Sequence, residues 1–222
     1  MGGYPIEQPK SDLPGLPIVD GSTCQLCQGC EMRLLTDSPF DWRPIRAFQY
    51  LLSRVKFRLY GVRFGKRLHA SHVAILNRGN IEIGDDCMLQ SRPNRSPEIV
   101  NLRTYSRTAV IRIGDRVRLA GVTIHCNSTV SIGSQSRLGP GVILCDNDSH
   151  RVARDAVERA YKPAQAPIVL ENNVWLGMRC IVLKGVTIGA NTIVAAGSVV
   201  TRSLPGDILA GGVPARVIRK LD

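Results

Sequence analysis

Apolar residues occupy every sixth position of the chain between residues 170 and 200, and small or apolar side chains occupy the fourth position of each unit. The sixth-position residues are Leu170, Leu176, Val182, Ile188, Val194 and Val200. The two series are offset by four and by two residues, and even offsets place side chains on one face of an extended chain. On an α-helix a six-residue step turns by about 600° and would scatter them. The pattern therefore predicts a mainly β fold of short strands joined by turns, the hexapeptide signature of a three-sided parallel β-helix.

Two interruptions break this period. Residues 91–108 are rich in Pro, Asn, Ser and Arg, and residues 145–167 separate the earlier repeats from the regular ones. Both segments are predicted to be loops that leave the coil, and the loops of a solenoid often carry function. The chain is therefore expected to have three parts. These are an N-terminal extension (1–70), a β-helix domain (71–202) and a C-terminal cap (203–222).

A helix with one apolar and one basic face is predicted between Arg43 and Leu59. Its apolar positions are Ile45, Phe48, Leu51, Leu52, Val55 and Leu59. Two interpretations stay open. The apolar stripe packs against the end of the coil with the basic face in water, or the helix lies on an anionic membrane surface.

Composition narrows the compartment and the partners. The 222 residues carry a formal charge of +11, which favours anionic partners, but only 5% are aromatic and no nucleic-acid recognition motif occurs. The first residues lack the apolar core of a secretory signal, and no run is apolar enough to cross a membrane. Seven cysteines, an odd number, favour reduced thiols. We therefore expect a cytoplasmic protein that does not bind nucleic acid.

Three of the cysteines form a CxxCxxC cluster at Cys24, Cys27 and Cys30. Such a cluster suits zinc or an iron–sulfur centre, but each would need a fourth ligand, and no Cys or His lies nearby in sequence. We expect no metal, and metal analysis of the purified protein would decide the point.

The strongest candidate for chemistry is His150, which ends the segment DNDSH in the second loop. A neutral imidazole is a suitable base for a hydroxyl nucleophile, and a neighbouring carboxylate can fix its tautomer. Asp146 and Asp148 are both close enough in sequence, and the sequence does not choose between them. Cys145 beside the loop is a second candidate, as a thiol nucleophile in a ping-pong scheme.

Beyond these patterns, the blocks NNVWLG, GVTIG, AAGSVV and AGGVPARVI occur in order between residues 172 and 218. With the His150 segment they resemble the hexapeptide-repeat acyltransferases of the sugar O-acetyltransferase type, over residues 73–222. The resemblance implies a left-handed β-helix, a homotrimer with sites between subunits, acetyl-coenzyme A as donor and His150 as general base. Arg151 follows His150 where the family often has Pro.

The resemblance also implies the binding residues. Those expected to contact coenzyme A are Trp175, Gly177, Ala196, Thr201, Arg202, Arg216 and Arg219. Arg202 stands where the family has Lys, so the charge is kept while its geometry changes. Asn127 and His125 are expected to face the sugar acceptor.

Several functions stay open at this point. A non-catalytic β-helix scaffold and an N-acetyltransferase acting on an amino sugar are the alternatives to O-acetylation. Carbonic anhydrases built on the same coil bind zinc through three histidines. Of the four histidines here, His69 and His72 precede the regular repeats, so too few are left for that zinc site. The basic helix suggests a lipid-linked carbohydrate acceptor at the inner membrane face, as in polysaccharide biosynthesis.

Overall fold

Three parallel sheets form the faces of a three-sided coil. The computed structural model describes residues 43–90 and 98–222, with only the backbone for 43–50. Sheet A contains β1 (Arg63–Phe64), β4 (Asn80–Ile83), β7 (Val110–Ile113), β10 (Thr129–Ile132), β13 (Ile168–Leu170) and β16 (Thr187–Ile188). Sheet B contains β2 (His69–Ser71), β5 (Met88–Gln90), β8 (Arg118–Ala120), β11 (Arg137–Leu138), β14 (Trp175–Leu176), β17 (Ile193–Val194), β19 (Ile208–Gly212) and β20 (Ala215–Lys220). Sheet C contains β3 (Val73–Asn77), β6 (Val100–Thr104), β9 (Thr123–Cys126), β12 (Ile143–Cys145), β15 (Ile181–Leu183) and β18 (Val199–Val200).

The six-residue period marks the interior of this coil. All six predicted positions between residues 170 and 200 are buried, with at most 1% of any side chain exposed. Each inward residue contacts its equivalents in the coils before and after it, so neighbouring coils bury one another. The corners are equally tight. A Cβ added at Gly177 would lie 2.6 Å from the backbone nitrogen of Ala196, so only glycine fits there. The predicted β-helix is confirmed.

The sequence-based boundaries need two corrections. The coil begins at β1, before the predicted boundary at residue 70. The predicted loop 91–108 is wrong over residues 100–104, which form β6 between β3 and β9. Val100, Leu102 and Thr104 alternate into the interior, and their inward side chains hold this segment in the coil despite its polar neighbours. Residues 91–97 lie outside the described residues.

A single helix, α1 (Arg43–Leu59), precedes the coil in the described part of the chain, and it packs differently from the expectation. Leu51, Leu52, Val55 and Leu59 are exposed, so the apolar stripe does not pack against the coil. Phe57, on another face, is buried and meets Phe64 edge to face. The Ser53 hydroxyl donates to the Ala70 carbonyl on this same side. The face that contacts the coil is thus the one that carries Phe57.

Residues 203–222 complete the coil. Leu204 bridges to Ile188, β19 pairs in parallel with β17, and β20 folds back antiparallel onto β19. Within residues 43–90 and 98–222, no helix has the length and apolar content needed to cross a bilayer.

Candidate functional site

His150 lies exposed in the loop that joins β12 to β13. Backbone hydrogen bonds close the base of this loop. The Asp148 N–H donates to the Ala164 carbonyl at 3.1 Å, and the Ala166 N–H donates to the Asp146 carbonyl at 2.9 Å. The two loop ends are therefore held side by side, and His150 projects just beyond them.

The Asp146 carboxylate is fully buried and serves the backbone. One oxygen accepts a hydrogen bond from the Asn127 N–H at 2.8 Å, and the other accepts from the Ser128 N–H at 2.7 Å. These amides lie at the turn from β9 to β10, one coil earlier. Both of its oxygens thus accept hydrogen bonds inside the coil, and among the described residues none joins this carboxylate to the imidazole of His150.

Asp148 has a different partner as well. Its carboxylate lies 2.5 Å from the ammonium group of Lys184, which follows β15 in the next coil. The backbone N–H of His150 donates to the Asp148 carbonyl at 2.6 Å. In the described part of the chain the imidazole of His150 has no hydrogen bond, so neither aspartate orients the ring. Asp148 and Lys184 instead fix the backbone that carries it.

His125 belongs to an aromatic pair that the sequence analysis missed. The Tyr105 hydroxyl lies 2.6 Å from His125 Nδ1, and the two rings stack with centroids 5.9 Å apart. Partial burial and the nearby charge of Arg103 lower the pKa of His125, so its neutral form is favoured. Tyr105 is placed in a loop by the sequence analysis. Alternation of Val100, Leu102 and Thr104 is the sequence signal that a strand ends directly before Tyr105.

The residues that follow the strands of sheet C form one edge of the coil, which we call the exit corner of sheet C. Successive coils place Asn127, Asp146, Lys184 and Thr201 there, and the loop that carries His150 leaves from this edge. Asn127 is half-buried, and its carbonyl accepts a hydrogen bond from the Ser106 hydroxyl. Arg202 follows Thr201, and both side chains are exposed. The predicted base and one predicted acceptor residue thus share this edge.

The other residues predicted to contact coenzyme A lie along sheet B. Trp175 points outward from β14 and is 53% exposed. Gly177 and Ala196 stack at the exit corner of sheet B, the edge where strands of that sheet end. Arg216 and Arg219 lie exposed on β20, where each guanidinium donates only to a backbone carbonyl nearby in sequence. The structure therefore separates these residues from His150, Thr201 and Arg202 by the width of sheet C.

Burial raises the pKa of three of the cysteine thiols in the described part of the chain. It raises the pKa of the thiols of Cys87 and Cys180, and that of Cys126 to about 12, with the Asp146 charge adding to the last shift. The half-buried Cys145 donates a hydrogen bond to the Asn147 carbonyl. Cys24, Cys27 and Cys30 lie outside the described residues. Among residues 43–90 and 98–222, no three His, Cys, Asp or Glu side chains are grouped as a metal site.

Comparison with known proteins adds to this geometry. Residues 167–202 match the family model described as bacterial transferase hexapeptide (six repeats). Galactoside O-acetyltransferase of Escherichia coli (strain K12) is 38% identical over 101 residues, which are 46% of this chain and 49% of that protein. The 2,3,4,5-tetrahydropyridine-2,6-dicarboxylate N-acetyltransferase of Enterococcus faecalis is 43% identical over 60 residues, 27% of this chain and 26% of that protein. The chain thus spans about half, or less, of the length of these relatives.

A solved structure extends the comparison to most of the coil. A point mutant of AntD, an N-acyltransferase from Bacillus cereus, was crystallised with dTDP-4-amino-4,6-dideoxyglucose and coenzyme A. It aligns with a TM-score of 0.61 at 16% identity, over 76% of this chain and 89% of that one. At this identity the likeness establishes the fold, a left-handed parallel β-helix.

Proposed function

We propose that this chain, a hexapeptide-repeat protein of the bacterial transferase type, transfers an acetyl group from acetyl-coenzyme A to a sugar hydroxyl. The observation that carries the proposal is how the loop of His150 is held. One buried carboxylate and one ion pair hold the start of its loop, backbone hydrogen bonds join the start to the end, and the imidazole itself is left free to meet a substrate. The likeness to galactoside O-acetyltransferase supports the reaction class, and the coenzyme A bound by AntD supports the donor.

In the proposed mechanism His150 acts as a general base. It takes the proton of the acceptor hydroxyl as the hydroxyl oxygen attacks the thioester carbonyl. The carbon–sulfur bond then breaks, and the imidazolium returns the proton to the leaving thiolate of coenzyme A. Direct transfer needs no covalent intermediate on the protein. Binding both substrates in one place supplies much of the acceleration.

The two groups of predicted ligands support a homotrimer with sites between subunits. On the donor side, Trp175 lies on sheet B, and Gly177 and Ala196 lie at the exit corner of that sheet. The loop of His150 leaves the coil at the exit corner of sheet C. The outward face of sheet C between them carries apolar residues, among them the partly exposed Ile143 and Leu183. Burying this face against another copy would bring the donor edge of one subunit to the base of the next.

In this arrangement the remaining predicted residues have distinct roles. Thr201 and Arg202 would complete the donor site from the His150 side, and Arg216 and Arg219 would face the phosphates of coenzyme A. His125 and Asn127 would contact the acceptor. Because the pKa of His125 is lowered, its ring is suited to hydrogen-bond a sugar hydroxyl as a neutral group.

Transfer to an amine is the second candidate. The Enterococcus faecalis relative is named an N-acetyltransferase, and AntD an N-acyltransferase. The same base and donor edge would serve an amino sugar, so products must decide between the two. A scaffold without activity is the third interpretation. It does not explain why an exposed imidazole lies on a loop that is held at both ends.

The exposed stripe of α1 supports a peripheral membrane contact. Leu52 and Leu59 are 51% and 81% exposed, and the cations Arg54 and Arg58 lie beside Phe64 next to this helix. Apolar residues flanked by cations suit an anionic lipid surface, and a lipid-linked carbohydrate at the cytoplasmic face would then be within reach. We expect wild-type protein to float with phosphatidylglycerol vesicles, and Leu52→Glu/Leu59→Glu to remain in the soluble fraction. Val152→Glu/Val157→Glu, which adds the same two charges at exposed positions of the His150 loop, is the control.

The test of the proposed function is acetyl transfer itself. Purified protein is incubated with acetyl-coenzyme A and a panel of sugars, amino sugars and lipid-linked glycans, and products are identified by mass spectrometry. We expect an O-acetyl product and a loss of at least about a hundredfold in kcat for His150→Ala, with an unchanged thermal midpoint because the side chain is exposed. Arg151→Ala, the adjacent exposed residue, is the control. Equal turnover by wild type and His150→Ala would eliminate this base, and an amide product would select the second candidate.

A further inference from the structure

A groove of about 340 Å³ runs along the outward face of sheet B. Its walls include Met88, Gln90, Arg118, Arg137, Pro140 and Trp175. Two arginines therefore share one small groove with an indole ring and apolar side chains. No acidic side chain lies among the described residues that line it.

Arg118 and Arg137 stand side by side in this groove. They are register partners on β8 and β11, and neighbouring strands lie about 4.8 Å apart, so both side chains leave the same face together. Within residues 43–90 and 98–222, neither guanidinium takes part in an ion pair. Like charges directly opposite each other on a sheet repel, and an anion bound between them would remove that cost.

The arginines on the adjoining face of the coil behave differently. A larger groove on sheet A, of about 710 Å³, is lined by Arg63, Glu82 and Arg112. There the Glu82 carboxylate pairs with both guanidinium groups, so one of the two positive charges is offset and each cation has an acidic partner. Asp86, two residues before Met88 in sequence, pairs with Arg67, and Glu98 lines a separate cavity with Arg179. A pair of arginines with no acidic partner in the described residues is therefore a property of the groove on sheet B.

The position of the pair assigns it to the acceptor, an argument that rests on the proposed function. Strand pairing places Arg219, Leu209, Ile193 and Trp175 in one outward row, and the row continues into Arg137 and then Arg118. If Arg219 faces the nucleotide phosphates of the donor, the acyl end points toward Trp175. The groove beyond Trp175 is then the space left for the group that receives the acetyl.

We infer that Arg118 and Arg137 bind an anionic group of the acceptor, so that the substrate is a sugar carrying a phosphate or a carboxylate. The planar guanidinium groups suit either anion, because each offers paired N–H donors to its oxygens. Trp175 and Met88 supply apolar surface for the face of a sugar ring. Neutral galactosides would lack the charge that this groove is built to accept.

A binding titration tests this without requiring turnover. Glucose 6-phosphate, glucuronate and glucose are titrated calorimetrically into protein saturated with coenzyme A, which occupies the phosphate contacts of the donor. We expect at least one of the two anionic sugars to bind at least about tenfold more tightly than glucose, and the difference between them identifies the preferred anion. Arg118→Met/Arg137→Met should lose at least about tenfold in affinity for the anionic sugar. Arg112→Met, an outward arginine on sheet A, should bind as wild type does.

Three outcomes would overturn the inference. They are equal binding of glucose and both anionic sugars, unchanged binding by the double variant, and loss of coenzyme A affinity in that variant, which would assign the arginines to the donor. Failure of the proposed function is separable, because it appears as absent acetyl transfer in a protein that still discriminates anionic from neutral sugars.

Discussion

The ammonium group of Lys184 lies 2.5 Å from the Asp148 carboxylate, and this pair ties the loop of His150 to the end of β15. The side chains are 33% and 22% exposed. A partly exposed pair contributes less than about 1 kcal/mol to stability, so its main effect is on the loop position.

Replacing Lys184 should therefore impair turnover more than folding. We predict that Lys184→Met lowers kcat about tenfold, because His150 is then less often in place, while KM for acetyl-coenzyme A and the thermal midpoint change little. Asp148→Asn should act alike, and the double variant should add no further loss because the two groups act as one unit. Lys184→Arg, which keeps the charge, should restore most of kcat. Full activity in Lys184→Met would contradict this role.

Asp146 should prove structural. We predict that Asp146→Ala lowers the free energy of unfolding by about 2–5 kcal/mol, because the amides of Asn127 and Ser128 lose the fully buried carboxylate to which both donate. Urea denaturation measures the change. The matched control is Asp155→Ala, since that carboxylate also accepts two backbone N–H groups but at an exposed turn. Comparable losses in the two variants would argue against the importance of burial.

The buried thiol of Cys126 predicts a loss of stability in alkali. Its pKa is raised to about 12 in the folded chain, whereas an unfolded thiol ionises near about 8.5. Between these values the unfolded chain has released a proton that the folded chain keeps, so the free energy of unfolding falls as pH rises. One such thiol changes it by up to about 1.4 kcal/mol per pH unit.

Urea unfolding from pH 7 to about pH 10.5 measures this slope. Cys126→Ala should show a shallower decline than wild type, because one titrating group has been removed. Cys145→Ala, at a half-buried position, is the reference for a cysteine substitution. Parallel curves for wild type and Cys126→Ala would contradict the prediction.

The period of the sequence was sufficient to predict the coil because every inward residue meets the same environment. Leu170 and Val200 lie five coil faces apart and are equally buried. The prediction was wrong at Val100–Thr104, because polar residues on either side in sequence interrupt the period although the segment is a strand with inward residues. The predicted packing face of α1 was wrong for a related reason. Its apolar stripe was visible, but which face meets the coil is decided by Phe57 and by backbone carbonyls of residues far along the chain.

The sequence suggested candidate site residues but not the contacts that their neighbours make. His150 and its loop were identified from local composition, whereas the partners of its neighbours come from other coils. Asp146 bonds to amides 19 and 18 residues earlier, and Asp148 pairs with Lys184, 36 residues later. Stacking of coils creates these contacts, and the residues nearby in sequence carry no sign of them.

Two adjacent residues of β15 should separate folding from assembly. Val182 points into the coil and is fully buried, while Leu183 points outward from sheet C and is 38% exposed. An aspartate at position 182 would place an unpaired charge among buried residues of neighbouring coils, at a cost of about 4 kcal/mol or more. We therefore predict that Val182→Asp is unfolded or insoluble. Leu183→Asp should keep its circular dichroism spectrum but sediment as a smaller species than wild type, because the charge lies on the face proposed to join subunits. A folded Leu183→Asp of unchanged mass would show that sheet C is not that face, and donor and base would then have to meet within one chain.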